Sequence, residues 1–201
     1  MTDTLPHSHP GAIAAETLAG AVAAARAAGG RVSPVTIAGR PAWVKIAREK
    51  RLIVRLQKGA APRLLREETA ILRAMAMRGL AVPEVIGAGD DWLITSDSGP
   101  TLAVMLADQP EAPDLPSAFA AAGHALAQMH RAGCAHGRPH LRDVCWDDAE
   151  GRACFIDLER AASLQAGMSG FTRDLLIFVF AYFCIRPQPG PQPLLAEFGD
   201  A

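Results

Sequence analysis

His136-Gly137-Arg138-Pro139-His140-Leu141-Arg142-Asp143, followed after a short turn-bearing stretch by Phe155-Ile156-Asp157-Leu158-Glu159, is the part of the chain on which its reading turns. The first segment is a loop rich in His, Gly and Arg that ends on a carboxylate. The second is apolar until Asp157. Ala153 to Ile156 reads as a buried strand, and a carboxylate at the end of such a strand needs a cation or hydrogen-bond donors beside it. Mg2+ held by oxygens of Asp143 and Asp157 would meet that need. A turn in which Asp157 accepts backbone N–H groups is the plain alternative. Glu159, two residues on, points to the same side as Asp157.

Upstream of this stretch the chain changes character twice. Gly11 to Ala28 is Ala-rich, with Ile13, Leu18 and Val22 at helical spacing, and Gly29-Gly30 ends it. Val32 to Ile37 and Ala42 to Ile46 alternate and read as strands joined at Gly39-Arg40-Pro41. Leu52 to Leu56 is a further strand candidate. Pro62 to Arg78 has the period of a helix, with Leu64, Leu65, Ile71, Leu72 and Met75 on one face. Val82 to Ile86 and Asp91 to Thr95 read as two more strands. Asp97 to Pro100 punctuates the chain, and the residues beyond it are mostly helical: Thr101 to Ala107, Pro116 to Gly133 and Thr172 to Ile185. The exception is a hairpin, Val144 to Trp146 with Ala153 to Ile156, around Asp147 to Gly151. The expected architecture is α+β in two lobes. Its expected parts are an N-terminal helical extension (1–30), a β-rich N-lobe (31–97), a helical C-lobe (98–186) and a Pro-rich tail (187–201).

Lys45, in Ala42-Trp43-Val44-Lys45-Ile46, is flanked by apolar strand residues and would face a cleft. A Glu on the following helix would be its partner: Glu68 fits best, with Glu67 the near alternative. A surface Lys with two exposed helical Glu is the default reading of the same residues.

Bulk properties limit the alternatives. Half of the 201 residues are apolar, charged residues make up 20%, and the net charge is -1, so no basic excess points to nucleic acid or an anionic surface. Cys134, Cys145, Cys154 and Cys184 form no CxxC pair, and Met1 to Pro10 lacks the apolar core of a secretory signal. The reading is of reduced thiols in a cytoplasmic protein. The longest apolar run, Leu175 to Ile185, is eleven residues, short for a bilayer span and suited to a buried helix, with Phe178, Phe180, Tyr182 and Phe183 as core. No transmembrane segment is expected, although peripheral membrane contact stays open. Cys134, His136, His140 and Cys145 match no common zinc spacing.

Lys45, Glu68, His136-Gly137, Asp143 and Asp157 fall in the order and approximate spacing of the kinase-like phosphotransferases. The chain resembles the small atypical members over roughly residues 32 to 186: lipopolysaccharide core and Kdo kinases, RIO-type kinases and the KEOPS-complex kinase, with aminoglycoside phosphotransferases more distant. Those carry H-G-D-x-x-x-x-N, then an apolar strand ending in D-x-E or D-F-G. The resemblance implies a two-lobed kinase fold using ATP and Mg2+ to phosphorylate a hydroxyl acceptor, whether glycan, protein or small molecule. It implies Lys45 on the α/β-phosphates, Glu68 orienting it, and a hinge with Thr95 and Asp97 at the adenine. It further implies His136 bracing the loop, Asp143 and Asp157 on the metal, and Asp174 propping the loop.

Three departures stand out. Arg138 occupies the place of the catalytic Asp, Asp143 that of a metal-binding Asn, and no G-x-G-x-x-G precedes Lys45. Arg138 could lock the site by pairing with Asp143 or Asp157, bind a phosphate, or leave the proton to Asp143 or His140. A pseudokinase, a nucleotide-binding or scaffolding module without transfer, is therefore the rival expectation.

Overall fold

Strand alternation builds the first sheet. In this computed structural model, which describes residues 13–48, 61–161 and 167–185, β1 (Val32–Ile37) and β2 (Arg40–Ile46) pair antiparallel in the register Ile37↔Arg40 to Val32↔Lys45. The turn between them is Ala38-Gly39, both at positive φ. That is the two-residue hairpin geometry whose twist matches the strands, and it sits one residue earlier than the sequence suggests. β3 (Val85–Ala88) and β4 (Trp92–Ser96) complete a four-stranded sheet in the order β1-β2-β4-β3. Pro83 delays β3: the stretch from Val82 expected as strand pairs only from Val85 onward. The strand expected at Leu52 to Leu56 lies outside the described residues.

Period two decides what each face of β2 does. Ala42, Val44 and Ile46 are buried with Ile37 and Ile94 against Val22 and Ala25 of α1 (Ala15–Ala28). Arg26 fastens that helix to the β3–β4 turn through two bonds to Asp91, 2.7 and 2.8 Å. Trp43 and Lys45, at the odd positions, are left for the opposite face. On α2 (Ala61–Ala76) the buried stripe is Leu65, Glu68, Thr69, Leu72 and Met75, spaced as one face of a helix.

The chain divides into two compact units, Met1–Thr69 with Glu84–Asp97, and Ala70–Pro83 with Ser98–Ala201. The second unit is mainly helical. Thr101 caps α3 (Leu102–Asp108) by accepting from the Val104 N–H. α4 (Leu115–Arg131) buries Ala118, Ala122, Ala125, Leu126 and Met129 and packs on β6 of the hairpin β5 (Val144–Asp147) and β6 (Arg152–Phe155). Single 3-10 turns, Leu141–Asp143 and Leu158–Arg160, flank that hairpin. A small β-rich unit and a mostly helical one make this the α+β, two-lobed kinase-like fold class.

The last described helix, α5 (Met168–Ile185), differs from expectation in length and burial. It begins before Thr172, and by length and composition it is long and apolar enough to cross a membrane. Phe178 and Tyr182 pack edge-on to Phe119 of α4, at 6.3 and 5.2 Å between ring centroids. Leu175, Leu176 and Phe180, in contrast, are more than half exposed. A segment that is apolar all round carries no sign of which stripe will be covered.

Candidate active site

The odd-numbered face of β2 assembles the first group of candidates. Lys45 Nζ donates to both carboxylate oxygens of Glu68, at 2.6 and 2.8 Å. The two side chains are 14% and 4% exposed, so this pair is largely dry. Glu67 turns outward instead and accepts from Arg63 Nε at 2.8 Å. The choice between the two glutamates follows from helical spacing: Glu68 is three residues from Leu65 and four from Leu72, on the buried stripe. Thr95 pairs directly across from Trp43, on the Lys45 face of the sheet. Asp97 follows β4, and its Oδ1 accepts from Trp43 Nε1 at 2.6 Å. All four residues belong to the first compact unit.

The His136 loop is organised by one buried carboxylate. Asp174, on α5 and 0% exposed, accepts from the backbone N–H of His136 (2.7 Å) and of Gly137 (2.8 Å). His130 Nε2 is a third partner at 3.2 Å, its ring stacked on Phe171. These bonds prop the loop, the part that the resemblance implies for Asp174. His136 uses both ring nitrogens: Nε2 donates to the Ile156 carbonyl at 2.9 Å, and Nδ1 accepts from the Arg138 N–H at 3.3 Å. Both bonds suit the neutral ring, and burial holds the His136 pKa below its ordinary value. Gly137 has φ 90°, and a Cβ there would run into the Arg160 carbonyl. Sequence marks this glycine only as part of a motif; the need for it lies in the close approach.

The same network delivers the two aspartates. Asp143 N–H donates to the His140 carbonyl (2.7 Å), and the Ile156 N–H donates to the Asp143 carbonyl (2.9 Å). The loop is thereby stitched to the residue before Asp157. Asp157 adopts the left-handed conformation, φ 58° and ψ 55°, which is uncommon outside glycine and gathers at functional sites. Its carboxylate and that of Glu159 approach within 4.8 Å. Asp143 is buried, and its Oδ2 receives no hydrogen bond. Burial, reinforced by the charge of Asp157 and opposed by Arg138, pushes its carboxyl up to about 6. An orphaned, buried carboxylate oxygen beside a second carboxylate fits a hard divalent cation such as Mg2+. Arg138 Nη2 faces the same pair, 3.7 Å from Asp157 Oδ2 and 3.9 Å from Asp143 Oδ2. His136, Arg138, Asp143 and Asp157 all lie in the second unit.

Among the described residues, Cys134, His136, His140 and Cys145 do not converge on a metal position. Cys145 instead pairs across from Cys154 in the hairpin.

Comparison with known proteins agrees with this fold. A family model described as "Phosphotransferase enzyme family" matches residues 39–139, half of the chain, from the β1–β2 turn to the His136 loop. An uncharacterized protein of Haemophilus influenzae is 26% identical over 151 residues, 74% of this chain and 61% of that protein. The chain therefore spans about three fifths of the length of this curated relative. Among solved structures, monomeric WbdD superposes with a TM-score of 0.55 and 16% identity, over 78% of this chain and 36% of WbdD. A structure described as the bifunctional kinase-methyltransferase WbdD gives 0.54 and 19%, over 74% and 34%. At such identities the likeness is one of fold.

Proposed function

This chain belongs to the phosphotransferase enzyme family, and from that premise we propose that it is an atypical, ATP-dependent kinase acting on a hydroxyl acceptor. The acceptor oxygen would form a bond to the γ-phosphorus, the bond from that phosphorus to the β–γ bridging oxygen would break with ADP leaving, and the hydroxyl proton would pass to solvent water. Such transfer depends mainly on positioning and charge stabilisation.

The observation that carries the reading is the Lys45–Glu68 pair. A largely buried ion pair seldom outperforms apolar packing as a source of stability. What it does provide is an ammonium held in one place, suited to the α/β-phosphates. Thr95 and Asp97, on or beyond the same sheet face, would line the adenine side. Asp143 and Asp157 would hold Mg2+, which when bound neutralises phosphate charge. His136 keeps the loop in shape, and Asp174 anchors it. The acceptor would be a glycan, a protein or a small molecule. A cytoplasmic setting, where ATP is at hand and thiols stay reduced, belongs to the same proposal.

The second reading is a pseudokinase, and one observation favours it: Arg138 stands where a proton acceptor is expected and faces both aspartates. A thermal-shift titration with ATP, with and without Mg2+, tests the enzyme reading. A ligand at ~100 times its dissociation constant adds about 2.7 kcal/mol. The stabilisation should require Mg2+, lose its Mg2+-dependent part in Asp157→Asn and disappear in Lys45→Met. No shift with ATP under either condition sinks the nucleotide site. Nucleotide binding without phosphate release to water or to any hydroxyl acceptor moves the assignment to the pseudokinase.

A further inference from the structure

Arg138 sits among the aspartates in an incomplete way. Its guanidinium is 3.7 Å from Asp157 Oδ2 and 3.9 Å from Asp143 Oδ2, beyond hydrogen-bond length in both cases. A guanidinium serving as a structural bridge closes two parallel bonds on a carboxylate; this one closes none. Asp143 Oδ2 stays buried and without a donor although the nearest cation is so close. The Arg138 side chain is 45% exposed, against 7% for Asp143 and 32% for Asp157. The cation therefore has a way out that Asp143 lacks. The backbone beneath it is held, with the Arg138 N–H on His136 Nδ1 and the preceding Gly137 wedged against Arg160.

We infer that Arg138 is a resident counter-ion facing Asp143 and Asp157, and that a divalent cation enters this site by displacing its guanidinium. The inference rests on reading the two aspartates as cation ligands. One delocalised positive charge faces two carboxylates from a distance. A divalent ion brings twice the charge and contacts of about 2.1 Å with each oxygen it binds. It therefore wins the exchange, and its affinity is reduced by the work of expelling Arg138. The site is self-limiting: its occupancy is set by competition between a tethered cation and a free one.

Direct Mn2+ binding to the full chain, read from the paramagnetic resonance of free Mn2+, tests this with no nucleotide present, so that no contact between Arg138 and phosphate contributes. Arg138→Gln should bind Mn2+ roughly tenfold more tightly than the wild type, within the usual range of coupling between two ligands. Arg138→Lys, which keeps a tethered cation, should stay near the wild type, and Asp157→Asn should lose binding. Metal-free Arg138→Gln should also melt below the wild type, with the gap closing at saturating Mn2+. Should the glutamine variant fold poorly, Arg138→Ala gives a second arm, in which millimolar guanidinium added to the buffer should weaken its Mn2+ binding. Wild-type binding that glutamine leaves equal or weakens overturns the displacement and leaves the ligand assignment intact. Absence of Mn2+ binding in the wild type and all variants overturns the ligand assignment and the displacement together.

Discussion

Asp174 and Asp143 are both buried carboxylates on the same loop system, and they are treated in opposite ways. Asp174 receives two backbone N–H groups and a histidine. Asp143 has an oxygen with no hydrogen bond and a cation just out of reach. A satisfied buried charge holds architecture, because its partners cannot leave without cost. An unsatisfied one is a standing demand for a ligand. The loop is therefore rigid at its His136 end and poised at its Asp143 end.

Removing the satisfied carboxylate should be the more damaging change. Asp174→Ala strands two backbone donors and His130, and each buried group left unpaired costs about 1 to 3 kcal/mol. A loss of about 3 kcal/mol or more is expected in urea unfolding. A loss under about 1 kcal/mol would mean that the loop has other anchors and that the contrast is false.

Neutralising the unsatisfied carboxylate should do the reverse. The Asp143 carboxyl is raised from 3.8 to about 6, so folding is penalised for ionising it. Below pH 3.8 it is protonated in folded and unfolded chains alike, and nothing is lost. As pH climbs toward 6 the unfolded chain ionises first and the fold loses stability. Above 6 the full cost remains, roughly 3 kcal/mol at most for a shift of about two units. Asp143→Asn should therefore stabilise the metal-free protein at pH 8, with the gain falling as pH drops below 6 and gone by about pH 3. A stability loss at pH 8 would show that Asp143 is as structural as Asp174. The smallest effect sharpens the Asp174 side. His130→Ala removes one donor of three and should cost about 1 kcal/mol, with Mn2+ binding unchanged, measured by thermal unfolding and by the same resonance titration.

Sequence conveys this contrast unevenly. The strands of the first unit were legible because alternation survives in the residues themselves: Ala42, Val44 and Ile46 against Trp43 and Lys45. Glu68 was legible as a better fit than Glu67, and the stripe of Leu65, Leu72 and Met75, which the sequence also displays, gives the physical reason. The start of α5 was less legible, since Met168-Ser169-Gly170 carries no helix-start signal of its own. Its partly exposed face was not legible at all, because covering depends on neighbours distant in the chain. Within the loop, residue types name the cast but not the distances. That Arg138 stops short of both aspartates, and that Asp157 turns left-handed, are results of packing around Gly137 and Ile156.

The two amide bonds from His136 and Gly137 to Asp174 have a consequence in time as well as in space. These residues belong to no helix or strand, and segments of that kind commonly exchange their amide hydrogens with solvent through brief local openings. Here the acceptor is a side chain rooted in the interior of α5. Those two hydrogens are held by an acceptor that does not move with the loop, and they should exchange more slowly than is usual for a loop. By the clock of hydrogen exchange, this stretch of loop should run closer to the core than to the surface.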